Sequence, residues 1–526
     1  MAQEVYIAGA LFSDVPSISV PDHEGNFHAF TDTSDANATA SDIASGKTAY
    51  VAGQKVTGIA SGGGTTPTGT ISITTNGTHD VTSYATAEVN VSGGVTPSGS
   101  MSDPIRFFDY DGTLVASYSS VPSVLPAVPT HTGLKSGAWN YTLQQLTTQF
   151  NATGRCDVGA NYETVSGATE IDVTFESDER LSPYLRFAVK GTVTVDWGDG
   201  SSTEDVTGTS LTTRKSIQHT YSSAGSYTIK LTPASGTTYA MFGTGSYFLL
   251  YKSGTANENR LYANCVRAVR LGSGCSIGDY AFVYCSMLKY VSIPSSVTSI
   301  ENNAFDHCYA LAFAVIPSGV TSIEGGAFTS CYSLTSISIP SSVTSIGNSA
   351  FTSCYSLTSI AIPSGVTSIG NSVLSSCYSL TSIAIPSSVT SIGNSAFSNC
   401  YSLPSIAIPS SVTSIGNSVL SSCYSLACIS IPSSVTSIGN SAFASCYSLP
   451  SIVIPSGVTS IGNSAFSNCY GMAEYHFLRS ESVPTLGTTV FGNIQSDCTI
   501  YVPSSKLDDY KAADNWSTYA NKMVGE

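Results

Sequence analysis

The sequence predicts a mainly β, multi-domain protein that ends in a solenoid of 23-residue coils. Ile-Pro pairs place a proline at an unbroken spacing of 23 residues from Pro294 to Pro455, and a fixed period of this length is typical of a solenoid. Before the repeats, apolar and hydroxylated residues alternate in short segments such as 170–175, a pattern that indicates half-buried strands. A chain of 526 residues is also too long for one core.

Composition narrows the possible partners and location. The chain has 20 Lys plus Arg against 35 Asp plus Glu and no basic cluster, so we expect no nucleic acid partner. Only 10% of residues are charged, as expected of a hydroxyl-rich extracellular or virion protein. The first residues lack the features of a secretory signal, and no apolar run of about 18 residues occurs, so we expect no membrane span.

Composition shifts and linkers predict the domain order. The expected segments are 1–60, an N-terminal attachment module; 69–92, a small β module after a Gly/Thr linker; 102–180, an α+β connector with one helix near 140–151; 181–235, a β-sandwich; 236–276, an N-terminal cap of the solenoid; 277–475, the repeats; and 476–526, a C-terminal cap.

Two phrases near the N-terminus resemble modules of phage and prophage tail proteins. They are SDIASGKTAYVAGQKVTG, from Ser41, and TNGTHDVTSYATAEVNV, from Thr75. The resemblance implies that the N-terminus attaches to other tail or virion proteins, that the protein resides in a phage tail or fibre, and that it forms a homotrimer.

A tryptophan turn and a returning strand characterise the predicted sandwich. Val193 and Val195 alternate into a core, and Asp199-Gly200 turns the chain. Residues 227, 229 and 231 of the returning strand share one face. The W-G-D-G turn and the H-T-Y…G-S-Y-T-I-K-L pair resemble the polycystic-kidney-disease (PKD) type of immunoglobulin-like sandwich, which implies a spacer or a modest binding module.

Copies of the repeat within the chain separate its core from its surface. In the coil 354–376, the positions that stay mostly apolar in every coil are Leu357, Ile360, Ile362, Val366 and Ile369. The period of two at Ile360 and Ile362 predicts a strand with those side chains inward and Ser359 and Ala361 outward. Pro363 is expected to end that strand.

Asparagine and cysteine recur once per coil. The asparagines from Asn348 to Asn463 are predicted to be N-caps of short helical turns. Nine cysteines form a column, which we interpret as buried core thiols rather than a metal or redox site: Cys285, Cys308, Cys331, Cys354, Cys377, Cys400, Cys423, Cys446 and Cys469. Cys428 instead falls at an outward position and is predicted to be a reactive surface thiol.

The phrase SLTSIAIPSSVTSIGNSAFSNC, from Ser379, resembles the leucine-rich repeats of the bacterial surface-antigen (BspA-like) class. The segment from Val483 to Tyr519 resembles the C-terminal cap of that family, whose charged helix would shield the last edge of the solenoid.

A column of tyrosines is the candidate binding surface. Glu324 is the only charged side chain between Ile316 and Tyr470. A hydroxylated floor with flanking aromatic rings suits a neutral polysaccharide, whereas the competing interpretation is that the rings pack only against each other. The candidate binding residues are Tyr309, Tyr332, Tyr355, Tyr378, Tyr401, Tyr424, Tyr447 and Tyr470.

One motif suggests an enzyme. The segment from Phe107 to Leu114, with Asp109 and Asp111, resembles the nucleophile motif of haloacid-dehalogenase-type phosphatases. The sequence that follows lacks the pattern of a doubly wound sheet, so we interpret residues 110–113 as a hairpin turn and expect no enzyme. No cofactor or metal is expected, and the acidic loop around Asp196 and Asp199 is interpreted as a turn held by aspartate hydrogen bonds.

The sequence therefore predicts a structural protein that presents a solenoid surface to a host cell-surface polysaccharide or protein. Its first interpretation is a phage tail or receptor-binding protein. The alternatives are a bacterial surface adhesin with BspA-like repeats and, least favoured, the phosphatase.

Overall fold

In a computed structural model of the protein, the chain divides into a unit 1–96 and a larger unit 97–526. The structure describes the second unit over residues 103–135, 137–241, 243, 249–251 and 256–526. In the first unit it describes the backbone of eight short strands, which pair as two-stranded sheets. These are Glu4–Ile7 with Ala10–Ser13, Ile18–Pro21 with Phe27–Phe30, Thr48–Val51 with Gln54–Thr57, and Thr70–Ser72 with Thr86–Glu88.

Residues 103–164 form a small α/β lobe. Its strands are Ile105–Phe108, Leu114–Tyr118, Ala138–Trp139 and Cys156–Asn161, and its helix is Leu143–Thr153. The helix begins with a capping box between Thr142 and Gln145 and ends at Gly154, close to the predicted helix. The strand Cys156–Asn161 lies parallel to Ile105–Phe108, and the other strands are antiparallel to their neighbours.

The predicted sandwich is joined to the solenoid by hydrogen-bonded strands. Its strands are Thr169–Phe175, Tyr184–Asp196, Glu204–Gln218, Gly225–Pro233, Thr238–Met241 and Leu250–Tyr251, and a 3-10 turn covers Asp178–Arg180. The first of these strands pairs with Val266–Arg270, and Thr238–Met241 pairs in parallel with Cys275–Ile277. Its core is also continuous with that of the coils. This part therefore serves as the base on which the solenoid is built.

Two rows of parallel strands run along the solenoid, after the helix Ala256–Ala263. Row A contains Val266–Arg270, Tyr290–Ser292, Phe313–Val315, Ser336–Ser338, Ser359–Ala361, Ser382–Ala384, Ser405–Ala407, Cys428–Ser430, Ser451–Ile454, Glu474–Phe477, Thr499–Val502 and Met523–Gly525. Row B contains Cys275–Ile277, Ser299–Ile300, Ser322–Ile323, Ser345–Ile346, Ser368–Ile369, Ser391–Ile392, Ser414–Ile415, Ser437–Ile438, Ser460–Ile461 and Thr485–Leu486.

The coil 354–376 buries the side chains that the repeat comparison predicted, and at the same positions of later coils Ile383, Ile385 and Ile429 are partly buried. Leu357, Ile360, Ile362 and Val366 are almost completely buried. All nine cysteines of the column are buried as well, and from Cys308 onward each thiol donates a hydrogen bond to a backbone carbonyl in the preceding coil. The interpretation of the cysteines as core residues is confirmed.

The predicted helical turns with asparagine N-caps are wrong. The segment after each asparagine forms tight turns, with two non-glycine residues of positive φ per coil, such as Ser372 and Ser376. The side chain of Asn348 accepts a hydrogen bond from the backbone N–H of Asn371, its counterpart in the next coil, at 2.7 Å. The same contact repeats along the column up to the backbone N–H of Thr488. Asparagine therefore links coils instead of starting helices.

A compact aromatic group closes the C-terminal end. The 3-10 turns Ser504–Lys506 and Ser517–Lys522 flank the helix Leu507–Ala512. Trp516 is fully buried against Phe477, and its indole N–H donates to the carbonyl of Pro484. Among the described residues, no helix has both the length and the apolar character needed to cross a bilayer.

Candidate functional site: the outer face of row A

The side chains that point out of row A fall into a covered set and an open set. The lobe lies on the coils from Phe313 to Ala361, and beyond it the face becomes accessible. Ser338 is completely buried, whereas Ser430, its counterpart four coils later, is exposed. The prediction that Ser359 points away from the solenoid core holds, but the prediction that it lies on the surface is wrong, because the lobe buries it to 2% exposure.

A buried ion pair holds the lobe against the serines of row A. Arg106 Nε and Nη2 donate to the two carboxylate oxygens of Asp157, at 2.8 and 2.5 Å, and both residues are buried. Arg106 Nη2 also contacts the hydroxyl of Ser359, and Asp157 Oδ2 accepts from Ser336 at 2.9 Å. Each charge is therefore satisfied jointly by its partner and by the solenoid, as a buried charge requires.

Two amide side chains of the lobe bind backbone carbonyls that follow the row A strands. Asn140 Nδ2 donates to the carbonyl of Ile316 at 2.9 Å and to the hydroxyl of Ser338 at 2.9 Å. Gln149, on the lobe helix, donates to the carbonyl of Ile362 and accepts from the backbone N–H of Ser364. The face thus offers hydroxyls and carbonyls that polar groups can bind.

Apolar contacts complete the covered region. Phe313 and Val315 occupy the two outward positions at which most of the other coils carry serine or alanine. Phe313 packs against Phe108 with ring centroids 4.8 Å apart, and Val315 lies so close to Gly159 that a Cβ there would clash with it. Large apolar residues at two outward positions of one coil are the signal that could have predicted the covered face from sequence.

Beyond the lobe, row A presents an open face of hydroxyl and small apolar groups. The outward residues are exposed from the strand Ser405–Ala407 onward, through Cys428, Ser430, Ser451 and Val453. The prediction that Cys428 is a surface thiol is confirmed, since the other thirteen cysteines are buried. We call the outward residues of 405–453 the open face. It carries no charged side chain.

Charged groups mark the far border of the open face. His476, in the next strand of row A, contacts Glu526 at 3.0 Å and Glu474 at 3.3 Å. Burial lowers the pKa of His476, but the hydrogen bonds to the two glutamates outweigh it and raise the pKa above its ordinary value.

The eight predicted tyrosines form one continuous column. From Tyr309 to Tyr447 neighbouring ring centroids lie 4.4 to 4.7 Å apart with planes within 9° of parallel, and Tyr470 follows at 5.5 Å. Burial and the neighbouring tyrosines raise the pKa of Tyr401 to about 12. Each interior ring has a tyrosine on both faces, so these rings offer only edges and hydroxyls to a ligand. Their role in binding stays a prediction.

The phosphatase-like motif forms the predicted hairpin turn. The backbone N–H of Asp109 donates to the carbonyl of Thr113 between two antiparallel strands. The buried carboxylate of Asp109 contacts His131 Nε2 at 2.7 Å.

The second acidic turn also follows its prediction. Asp196 and Asp199 each accept a hydrogen bond from a backbone N–H two residues on, and Asp199 contacts His219 at 2.7 Å. Within the described part of the chain no group of side chains is suited to hold a metal ion.

Comparison with known proteins assigns the repeats to a family. The family profile of the BspA type leucine rich repeat region matches residues 275–401 and 369–500. The solenoid belongs to the BspA-type leucine-rich-repeat family. No curated protein matches the sequence significantly.

Several leucine-rich-repeat proteins of known structure are similar to this chain. One from Bacteroides ovatus is 26% identical, with 48% of this chain and 67% of that chain covered and a TM-score of 0.41. A leucine rich cell surface protein from Faecalibacterium prausnitzii is 34% identical, with coverages of 39% and 70% and a TM-score of 0.28. A protein from Eubacterium ventriosum is 21% identical, with coverages of 51% and 74% and a TM-score of 0.29.

Proposed function

We propose that this protein is a bacterial cell-surface adhesin that binds a polysaccharide along the open face of row A. The observation that carries the proposal is the exposed, uncharged strand face between the lobe and the C-terminal cap. The BspA-type repeats, which the sequence analysis associated with bacterial surface antigens, support a surface location. The alternative of a phage tail protein rests on residues 41–91, which lie outside the residues that the family profile matches.

The covered coils suggest how the open face binds its ligand. The lobe uses amide and charged groups to reach serine hydroxyls and the carbonyls after the strands. The open face carries serine at three of its six outward positions, Ser405, Ser430 and Ser451, and all three are exposed. A glycan hydroxyl can both donate to a carbonyl and accept from a serine, so a sugar chain can make the same kinds of contact as the lobe groups.

Cys428 permits a direct test because it is the exposed thiol in the middle of the open face. An array of immobilised polysaccharides is probed with the full chain before and after coupling of a bulky maleimide to Cys428. We expect binding to be lost on coupling, whereas a C428S protein treated in the same way keeps it. Binding that survives coupling contradicts the proposal.

Substitutions within neighbouring coils separate the competing surfaces. Ser430→Glu introduces a charge on the open face, Ser437→Glu introduces one on row B, and Tyr424→Ala interrupts the tyrosine column. We expect only the first to abolish binding. Loss of polysaccharide binding with Tyr424→Ala alone would place the site on the tyrosine column, as predicted from the sequence.

A further inference from the structure

Arg155 is a half-buried residue of the lobe. It directly precedes the strand Cys156–Asn161, whose Asp157 and Gly159 face the solenoid. Side chains alternate along an extended chain. Arg155 therefore projects to the same side as Asp157 and Gly159, towards row A.

The strand crosses the coils, which fixes how far along the solenoid Arg155 reaches. Gly159 lies against Val315, and Asp157 binds Ser336 in the next coil. Two residues of extended chain advance about 6.6 Å, whereas neighbouring strands are about 4.8 Å apart. One further step of two residues therefore places Arg155 over the coils of Ser359 and Ser382, next to the coil of Ser405 at which the open face begins.

Among the described residues, Arg155 forms no ion pair with an acidic side chain, in contrast to Arg106, which pairs with Asp157. Its Nε is buried and makes no hydrogen bond to any described residue. Asp157, the nearby carboxylate, already accepts hydrogen bonds from Nε and Nη2 of Arg106 and from the hydroxyl of Ser336. Burial lowers the pKa of Arg155, the charge of Asp157 raises it, and the charge of Arg106 lowers it. The guanidinium is thus partly desolvated without the anion that such a group usually binds.

We propose that Arg155 binds a carboxylate of the ligand, so that the glycan on the open face ends in, or carries, an acidic sugar at the lobe. This inference rests on the proposed adhesin function. The planar guanidinium matches a carboxylate with two parallel hydrogen bonds. The open face has no charge of its own to compete. An acidic sugar would supply the partner that Asp157 cannot.

Arginine side-chain resonances of the full chain test the site directly. Protein labelled with 15N at arginine Nε is titrated with glucuronate and, separately, with its neutral methyl ester. The Arg155 signal is assigned by its disappearance in R155K. We expect a saturable shift of that signal with glucuronate, weakened by salt, and no shift with the ester. An unshifted signal, or an equal shift with the ester, overturns the site.

Polysaccharide binding by wild type and R155M is the second test of the site. On the array, wild type is expected to prefer an acidic polysaccharide over its methyl ester by about tenfold, the gain from one charge-assisted contact. R155M is expected to lose this preference while keeping its binding of the ester. If R155M keeps the preference, the site is wrong. A glucuronate shift without any polysaccharide binding supports the site and contradicts the adhesin function.

Discussion

The covered and open coils of row A share one repeat but present different surfaces. At one position of the repeat, Ser338 is completely buried beneath Asn140 and Asp157, whereas Ser430 is exposed. Most inward side chains of both coils are buried, although Ile429 of the open coil is only partly buried where Ile337 of the covered coil is almost completely buried. The repeat therefore determines the core, and what lies against row A determines whether its outer face is available to a ligand.

The same comparison shows that the face can bind polar groups in a buried interface. Asn140, Gln149 and Asp157 are buried at the lobe contact, and each has hydrogen-bond partners on the solenoid. Buried polar groups are stable only when they are satisfied in this way. The lobe is thus an intramolecular example of the recognition that we propose for the open coils.

The largest expected effect is from Asp157→Ala. This change leaves the Arg106 guanidinium buried without its carboxylate, and breaking a buried pair from one side costs about 3–5 kcal/mol. We expect residues 105–161 to lose hydrogen-exchange protection while the coils after Ser405 keep theirs. The matched control is Lys135→Ala, whose ion pair with Glu163 is largely exposed and contributes less than about 1 kcal/mol. Equal loss of protection along the whole solenoid would contradict independent docking of the lobe.

A paired substitution gives an intermediate effect. Ser338→Ala removes the hydroxyl that donates to the carbonyl of Asp157 and accepts from Asn140, which costs about 1–3 kcal/mol at a buried site. Ser430→Ala at the equivalent exposed position should change the free energy of unfolding by less than about 0.5 kcal/mol. Urea denaturation of the two variants measures the difference. Equal values would mean that the lobe does not cover row A.

The smallest expected effect is a pH dependence at the far border of the open face. Because the pKa of folded His476 is raised, its contribution to stability is present below the ordinary histidine pKa of about 6.5 and is lost as pH rises through the folded value. The partly exposed ion pairs limit this contribution to less than about 1 kcal/mol. Urea denaturation below pH about 6.5 and above the folded pKa of His476 should show a decline in the free energy of unfolding of the wild type. No such decline is expected in His476→Gln. A decline that persists in the variant would assign it to another group.

Much of the solenoid could be predicted from the sequence because the sequence of one coil is repeated many times. The buried Leu357 and Ile360 and the cysteine column follow directly from positions that stay apolar from copy to copy. The asparagine turns were predicted wrongly, since an N-cap and a ladder both need a side-chain oxygen near a backbone N–H. Only the position of the next coil distinguishes them.

The candidate site could not be predicted as well, because it depends on contacts between distant segments. Arg106 and Ser359 are 253 residues apart, and nothing in their local sequence pairs them. Phe313 and Val315 did depart from the repeat, and comparison of the outward positions alone would have indicated a covered coil. The outward direction of Cys428 was predicted from the period of the strand, whereas its exposure also required that the lobe does not cover that coil, as the burial of Ser359 shows.

Because the open coils are nearly identical in sequence, such a protein can evolve by gaining or losing whole coils. Gain or loss of 23 residues between the lobe contact and the C-terminal cap would lengthen or shorten the open face by one strand spacing, about 4.8 Å. Neither the Arg106–Asp157 contact nor the packing around Trp516 would be altered. The reach of the face can therefore vary by copy number alone, with both ends of the solenoid preserved.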